Sequence, residues 1–233
     1  MTAGARIDRL LGRIVAFNNR RVQAQSQGLP NPRDLESEPW FAAFSRHTAE
    51  IRGEWLTFAA TGRRLPRLGD LLAEEQGDEG DWHAALLIAH GRPLSTYAAD
   101  FPTTIRALRS IPGLRAALWS HFAPGTELPA HTGANAGVLR FHLGVECGEH
   151  AALSIGDQVF PYRDGHAILF DDTVEHAAWN RGEAPRTTLF CEIQRPLTGP
   201  TRWCNTLVQR LLSADRRYRD AERRTAAWNL ALN

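Results

Sequence analysis

Histidine is concentrated in the middle of the chain, where it could bind a metal. Six of the nine histidines fall between residues 121 and 176, and His131 and His176 are the pair that turn and strand signals place most favourably. Two imidazoles on adjacent strands of a barrel can hold a first-row transition metal and leave positions open for other ligands. The chemistry expected of such a centre is oxidation by dioxygen at iron, usually with two histidines and one carboxylate as ligands.

An arginine ten residues after His176 adds an anion site to this pattern. The cosubstrate 2-oxoglutarate chelates iron with its keto-acid end, and its far carboxylate needs a bidentate cation such as the Arg186 guanidinium. Arg140 and His142 follow His131, and the alternation of a strand puts both side chains on one face. Together these residues favour an iron centre with a pocket for a dianion.

The composition is that of a globular protein and excludes several classes of function. The 233 residues are 43% hydrophobic and 23% charged, with a net charge of +1. These values argue against a disordered chain and against a general attraction to nucleic acid or membranes. All 27 basic residues are arginine, so neither a Schiff-base lysine nor a P-loop lysine is available.

Cysteine usage and hydropathy indicate where the protein works. The three cysteines form no CxxC pair, which indicates a reducing compartment. The longest apolar run, residues 84–89, is too short to span a membrane. We therefore expect a cytoplasmic protein without a membrane span, acting on a small molecule or peptide and not on nucleic acid. A homodimer is left open.

The elements that must position these residues divide the chain into three regions, which we treat as one domain. Residues 1–80 predict a helical layer, 81–197 a catalytic β core and 198–233 a C-terminal helical region. In the first region, an amphipathic helix is expected to pack on the body through Ile7, Leu10, Leu11, Ile14 and Phe17. Further helices are predicted at 40–58, 65–76, 102–108 and 202–224, and an acidic turn at 77–80.

Short strands separated by turn signals predict a barrel or sandwich in the β core. We predict strands at 82–90, 114–122, 137–145, 151–155, 158–162, 167–170, 176–179 and 187–192. No long helix lies between them, so a parallel sheet with crossover helices is not expected.

Several motifs in this region occur in the order of a known family. They are Gly80-Asp81-Trp82, Ser120, Pro124-Gly125-Thr126, His131-Thr132-Gly133, Leu139 to Leu143, Phe170 to His176, Trp179-Asn180, Arg186 and Arg195-Pro196. With them the chain resembles the aspartyl/asparaginyl β-hydroxylases, which are Fe(II)- and 2-oxoglutarate-dependent oxygenases. The resemblance covers roughly residues 82–196, about half of the chain.

This resemblance implies a fold, a reaction and a set of site residues. The fold is mainly β, a double-stranded β-helix of the jelly-roll or cupin type with flanking helices. The reaction is hydroxylation of an unactivated C–H bond with Fe(II), 2-oxoglutarate and O2, releasing succinate and CO2. The implied iron ligands are His131 and His176, with no catalytic side chain beyond the metal centre. The implied cosubstrate residues are Arg186, Ser120, His142 and Trp82, and Arg140 is the implied substrate residue.

The implied substrate is an amino acid, or an Asp or Asn residue of a peptide or carrier-bound substrate. Relatives that hydroxylate acyl chains of lipid A normally have a membrane anchor, and because we expect none here, the amino-acid substrates are favoured. Gly133 stands where most 2-oxoglutarate oxygenases have an Asp or Glu ligand to iron. The family that this chain resembles also lacks that carboxylate. One of Asp171, Asp172 and Glu175 is a candidate for orienting a histidine ligand through its other ring nitrogen, and a strand-capping turn is an equal alternative for Asp171-Asp172.

Two other functions stay open at this point. A halogenase or another radical-rebound variant could use the same two-histidine centre, and in a halogenase chloride takes the place of the carboxylate. A cupin-like module could hold a metal or a small carboxylate without catalysis, although a simple metal binder needs no dianion pocket. The remaining histidines are assigned to structural or surface roles: His47, His83, His90, His121, His150 and His166.

Overall fold

The computed structural model describes residues 3–71, 81–213 and 223–224 of the chain. Its helices are α1 (Ala3–Ser26), α2 (Phe41–Ser45), α3 (Thr48–Ala60), α4 (Leu68–Leu71), α5 (Ser95–Ala98), α6 (Pro102–Leu108) and α7 (Gly199–Ser213), with a 3-10 turn at Leu35–Ser37. Its strands are β1 (Trp82–Ala89), β2 (Arg92–Pro93), β3 (Leu114–Phe122), β4 (Glu127–His131), β5 (Val138–Cys147), β6 (Ala151–Ile155), β7 (Gln158–Pro161), β8 (Ala167–Phe170), β9 (His176–Asn180) and β10 (Arg186–Gln194).

The strands form two antiparallel sheets that face each other. The major sheet has the order β2-β1-β3-β10-β5-β8, and the minor sheet has the order β4-β9-β6-β7. Phe122 and Phe170 of the major sheet share a buried cluster with Leu153 and Ala178 of the minor sheet. The fold is therefore a double-stranded β-helix, mainly β with flanking helices, as the sequence predicted.

The two faces of the major sheet have different environments because side chains alternate along each strand. On the outer face, Leu139 and Phe141 of β5 pack in one apolar cluster with Phe44, Ile51 and Trp55 of the helices. The residues between them, such as Arg140 and His142, point toward the minor sheet. The helical layer thus buries one face and leaves the inner face to carry polar groups.

Local structure differs from the sequence predictions at several points. The helix predicted at 40–58 is two helices, α2 and α3, separated at Arg46-His47. The helix predicted at 65–76 is observed over Leu68–Leu71, and the prediction is wrong for residues 65–67, where Arg67 forms a β-bridge with His83. Residues 72–76 and the turn predicted at 77–80 lie outside the described residues. Strand β4 was not predicted, because its central Pro129 weakens the strand pattern.

The terminal helices are present, but the predicted packing stripe of α1 is wrong in two members. Asn18 and Val22 are fully buried, whereas Leu10 and Phe17 are 59% and 49% exposed. Helix α7 begins near the predicted position, and most of the predicted helix beyond Ser213 lies outside the described residues. Among the described helices, none combines the length and the apolar character that a membrane crossing requires.

Candidate active site

The two histidines of the predicted metal centre meet at one end of the minor sheet. His131 ends β4 and His176 begins β9, and the antiparallel register places the two residues directly opposite each other. Their ring centroids are 4.1 Å apart. His176 is buried and His131 is half-buried, so one ion could contact both rings and still be reached from outside.

Main-chain carbonyls fix the orientation of both rings. The Nδ1 of His131 lies 2.9 Å from the carbonyl oxygen of Pro129, and the Nδ1 of His176 lies 2.9 Å from that of Val174. A carbonyl only accepts hydrogen bonds, so each Nδ1 carries the proton and each Nε2 keeps its lone pair. This is the tautomer that a metal ligand needs. Our expectation that a nearby carboxylate would orient one ring is therefore wrong.

The three carboxylates considered for that task have other contacts. Asp171 accepts a hydrogen bond from the Thr173 amide at 3.1 Å and pairs with Arg195 at 2.6 Å, so it caps the turn between β8 and β9. The side-chain amide of Asn31 also holds the backbone of Asp171, accepting from its N–H at 2.8 Å and donating to its carbonyl at 3.1 Å. Glu175 is exposed.

Asp172 lies in the space that a side chain at position 133 would need. A Cβ built on Gly133 would overlap the carboxylate group of Asp172. Asp172 is 3% exposed, and its Oδ1 has no hydrogen-bond partner within the described part of the chain. A buried carboxylate thus stands beside the histidine pair, although it comes from another segment than the usual third ligand. Within the ranges described, no group of three or more His, Cys, Asp or Glu side chains is arranged to hold a metal ion.

Arg186 is a buried cation without a carboxylate partner among the described residues. Its side chain is 1% exposed, and its guanidinium carbon lies 4.2 Å from the ring centroid of Phe122 and 4.1 Å from that of Tyr162. Its NH1 lies 3.4 Å from the Ser120 hydroxyl, and its Nε has no hydrogen-bond partner within the described part of the chain. Burying an unpaired charge costs on the order of several kcal/mol of folding free energy. An anionic ligand that pairs with the guanidinium would offset this cost.

The residues around Arg186 are those predicted to bind the cosubstrate. The indole Nε1 of Trp82 donates to the Ser120 hydroxyl at 3.1 Å and so holds it next to the guanidinium. On the neighbouring strand, Thr188 stands opposite Ser120, and its buried hydroxyl has no partner among the described residues. Thr188 was not identified from the sequence.

His142 links the arginine to the histidine pair. Its Nδ1 is 2.8 Å from the Tyr162 hydroxyl, while its buried Nε2 has no partner in the described chain. Its ring packs edge-on against Phe170, which in turn contacts His176. A continuous set of contacts therefore runs from Arg186 through Tyr162, His142 and Phe170 to the metal-ligand candidates. Tyr162 is the second residue that sequence reasoning missed, since only the tertiary contact reveals it.

The electrostatics favour the neutral imidazoles of His142 and His176. Burial lowers the pKa of His142 well below its usual value, and the Arg186 charge lowers it further. Burial also lowers the pKa of His176, with the carbonyl of Val174 opposing this effect and His131 adding to it. Neutral rings can accept a hydrogen bond or a metal through nitrogen, which protonated rings cannot.

Arg140 is on the predicted inner face, but the protein's own acids neutralise it. Its Nε donates to Asp172 at 2.7 Å and its NH1 to Glu192 at 2.6 Å. Burial alone would lower the pKa of Arg140, but these two carboxylates hold it above its usual range. Arg140 thus fixes Asp172 beside the histidine pair, and its contact with substrate stays a prediction. His121 faces away from Ser120, as alternation predicted, and contacts Trp55 of the outer layer.

Fold and site together define the class as a double-stranded β-helix protein with paired histidines and a buried arginine on its inner face. A family model described as aspartyl/asparaginyl beta-hydroxylase matches residues 45–196. The chain belongs to this hydroxylase family, and the family prediction made from the motifs is confirmed.

The relatives that this chain resembles are named as hydroxylases of different substrates. The chain is 33% identical, over 79% of its length, to an ornithine lipid ester-linked acyl 2-hydroxylase of Rhizobium tropici, and it covers 67% of that protein. It is 24% identical to the human aspartyl/asparaginyl beta-hydroxylase over 75% of its length, but it covers only 25% of that protein. Among solved structures, the Cupin_2 domain of an XRE family regulator from Enterobacter cloacae has 16% identity and a TM-score of 0.35, covering 50% of this chain and 98% of that domain.

Proposed function

We propose that the protein is an Fe(II)- and 2-oxoglutarate-dependent hydroxylase of an unactivated C–H bond. The observation that carries this proposal is Arg186, a buried guanidinium with no carboxylate partner among the described residues. A fold stabilises such a residue poorly unless an anion binds there, because a buried charge needs a counter-ion. The far carboxylate of 2-oxoglutarate has the charge and the planar, two-oxygen geometry that a guanidinium recognises.

The residues present fit the metal and the cosubstrate. His131 and His176 would hold iron through the two Nε2 atoms that their tautomers leave free. When bound, iron with 2-oxoglutarate and O2 would supply the oxidation of the C–H bond, with succinate and CO2 released. The buried atoms without partners in the described chain, at His142, Arg186 and Thr188, are unused hydrogen-bonding groups on one face of the major sheet. A polar ligand in this pocket would satisfy them.

The protein's own part is binding, orientation and exclusion of water. Arg186 neutralises the cosubstrate's far carboxylate, and Trp82 orients Ser120 toward it. The rings of Phe122 and Tyr162 pack against the guanidinium and help to keep water from it. This low-dielectric setting strengthens each hydrogen bond to the ligand.

The position of Asp172 weighs against the halogenase alternative. A halogenase needs room and a favourable potential for chloride at the position of the absent carboxylate. Here, a carboxylate whose Oδ1 has no partner in the described chain lies next to Gly133. This carboxylate occupies space that chloride would need, and its Oδ1 can accept a hydrogen bond from a bound ligand.

Two substrate classes are compatible with family membership. The motifs favour an amino acid, or an Asp or Asn residue of a peptide, as the family name describes. The similarity to a relative named as an ornithine lipid acyl hydroxylase favours a second candidate, the acyl chain of an amino-acid lipid.

Succinate formation tests the proposal and separates the substrate classes. Purified protein would be loaded with Fe(II) without oxygen, then mixed with O2, 2-oxoglutarate and one candidate from each class. We expect succinate formation to increase in the presence of a candidate from one class, and that candidate to be converted to a product with one additional oxygen atom. Retention of full turnover by both His131→Ala and His176→Ala would overturn the proposal. A non-catalytic binding module would bind 2-oxoglutarate but form no succinate with any candidate.

A further inference from the structure

Helix α7 turns an apolar stripe outward. Trp203, Leu207 and Leu211 are 75%, 60% and 41% exposed, and their spacing of four residues places them on one face. The opposite face is buried through Asn205 and Gln209. Single exposed apolar residues are common on proteins, but a stripe that includes a tryptophan and runs for two helical turns marks an interaction surface.

Helix α1 lies beside α7 and extends the same surface. Its Asn18 donates to Asn205 of α7 at 3.0 Å. Leu10 and Phe17, seven residues apart and so on one side of α1, are also exposed. We call the set Leu10, Phe17, Trp203, Leu207 and Leu211 the α1–α7 face.

The charged residues of these two helices are arginines, apart from Asp8 near the start of α1. The exposed arginines on the two helices include Arg13, Arg20, Arg21, Arg202 and Arg210. Residues 9–26 and 199–213 contain no aspartate or glutamate. An apolar stripe flanked only by arginines is typical of helices that lie at the interface of an anionic bilayer.

We propose that the α1–α7 face rests on an anionic lipid bilayer surface. Tryptophan and leucine would enter the headgroup boundary, and the arginines would bind lipid phosphates. A second copy of the chain is a poor occupant because it would bring the same positive charges into contact. Residues 214–233 are a poor occupant for the same reason, since they carry five arginines and three acids.

The location of the face gives this docking a consequence for the site. Asn19 of α1 donates to the Ala134 carbonyl at 2.8 Å and accepts from the Ala136 amide at 3.0 Å. Gln209 of α7 donates to the Asn135 side chain at 3.0 Å. Both helices thus hold the loop that follows His131 on the faces opposite their exposed apolar residues, so docking would place this loop one helix away from the lipid surface. The docking itself requires neither metal nor 2-oxoglutarate, so it can be tested apart from the proposed function.

Flotation of the full-length protein with vesicles tests the proposal. Vesicles of phosphatidylcholine with phosphatidylglycerol would be compared with vesicles of phosphatidylcholine alone. We expect the wild type to bind the anionic vesicles. The triple variant Trp203→Ser/Leu207→Ser/Leu211→Ser should bind them at least about tenfold more weakly, because it buries less apolar surface. Arg202→Gln/Arg210→Gln should weaken binding by about fivefold to thirtyfold, since each arginine near the surface contributes on the order of one factor of five.

Val159→Ser is the matched control, because Val159 is 58% exposed on strand β7 of the minor sheet. It should leave vesicle binding unchanged, and circular dichroism would confirm that each variant is folded. No binding of the wild type to anionic vesicles would overturn the proposal. Equal binding to both vesicle types would also overturn it, as would a dimer in solution that the apolar triple variant converts to monomer.

Discussion

Replacement of Arg186 is the sharpest perturbation of the cosubstrate pocket. Arg186→Gln keeps a polar side chain but removes the charge and the planar fork that would bind a carboxylate. Truncating one partner of a buried, hydrogen-bonded charge pair costs about 2–5 kcal/mol. At about 1.4 kcal/mol for each factor of ten, the affinity for 2-oxoglutarate should fall by roughly 30-fold to a few thousand-fold.

Thermal shift and calorimetry measure this change. A ligand at a hundred times its Kd stabilises the folded state by about 2.7 kcal/mol, so 2-oxoglutarate should raise the Tm of the wild-type protein clearly. The same concentration should leave the Tm of Arg186→Gln nearly unchanged, and Arg186→Lys should recover only part of the effect. Arg181→Gln is the control, because Arg181 is an exposed arginine paired with Glu127. An affinity of Arg186→Gln within threefold of the wild type would refute the assignment.

Three further changes test the surrounding structure. Gly133→Ala should lower the free energy of unfolding in urea by about 1–3 kcal/mol and lower turnover, because its Cβ overlaps the Asp172 carboxylate beside the histidine pair. Gly53→Ala is the control, since Gly53 has open space around it and its replacement should not destabilise the fold. Equal effects of the two substitutions would contradict this overlap. Asn31→Ala should cost about 1–3 kcal/mol and slow succinate formation, since the Asp171 N–H loses its acceptor and the Asp171 carbonyl keeps only the Val174 amide as donor. Unchanged stability and turnover would contradict this role of Asn31. Burial raises the pKa of Tyr97 to about 12, above about 10 in the unfolded chain, so stability should fall as pH rises from about 10 to 12. Tyr97→Phe should lessen that fall, which circular dichroism would show, because the raised pKa values of Cys147 and Tyr162 contribute to it as well. A fall as steep as in the wild type would contradict the assignment.

The β core could be predicted from sequence because its signals are local. Alternation and turn residues located most strands to within two residues, since each strand of the major sheet has one apolar face against the helices. Strand β4 escaped because Pro129 interrupts a short polar segment. The exposure of Phe17 escaped because an amphipathic pattern gives a helix its apolar face but does not say what covers that face.

The candidate site was predicted only in part, because much of it depends on register. The motifs indicated Arg186, but only the tertiary structure shows that Tyr162 stacks on it and that Thr188 faces the same pocket. The pairing of Arg140 with Glu192 likewise follows from the β5–β10 register, which residue spacing does not contain. Local sequence thus identifies groups that could do chemistry, and tertiary contacts decide which of them are already neutralised.

The central claim is that two histidines bind one ferrous ion that also holds 2-oxoglutarate. The most direct measurement is the charge-transfer absorption of the Fe(II)–2-oxoglutarate chelate in oxygen-free protein, which needs no knowledge of the substrate. We predict this absorption for the wild type and for His121→Ala, whose ring lies on the outer face, and its loss in His131→Ala and in His176→Ala. Absorption that survives both substitutions, or that never forms in the wild type, would contradict the claim.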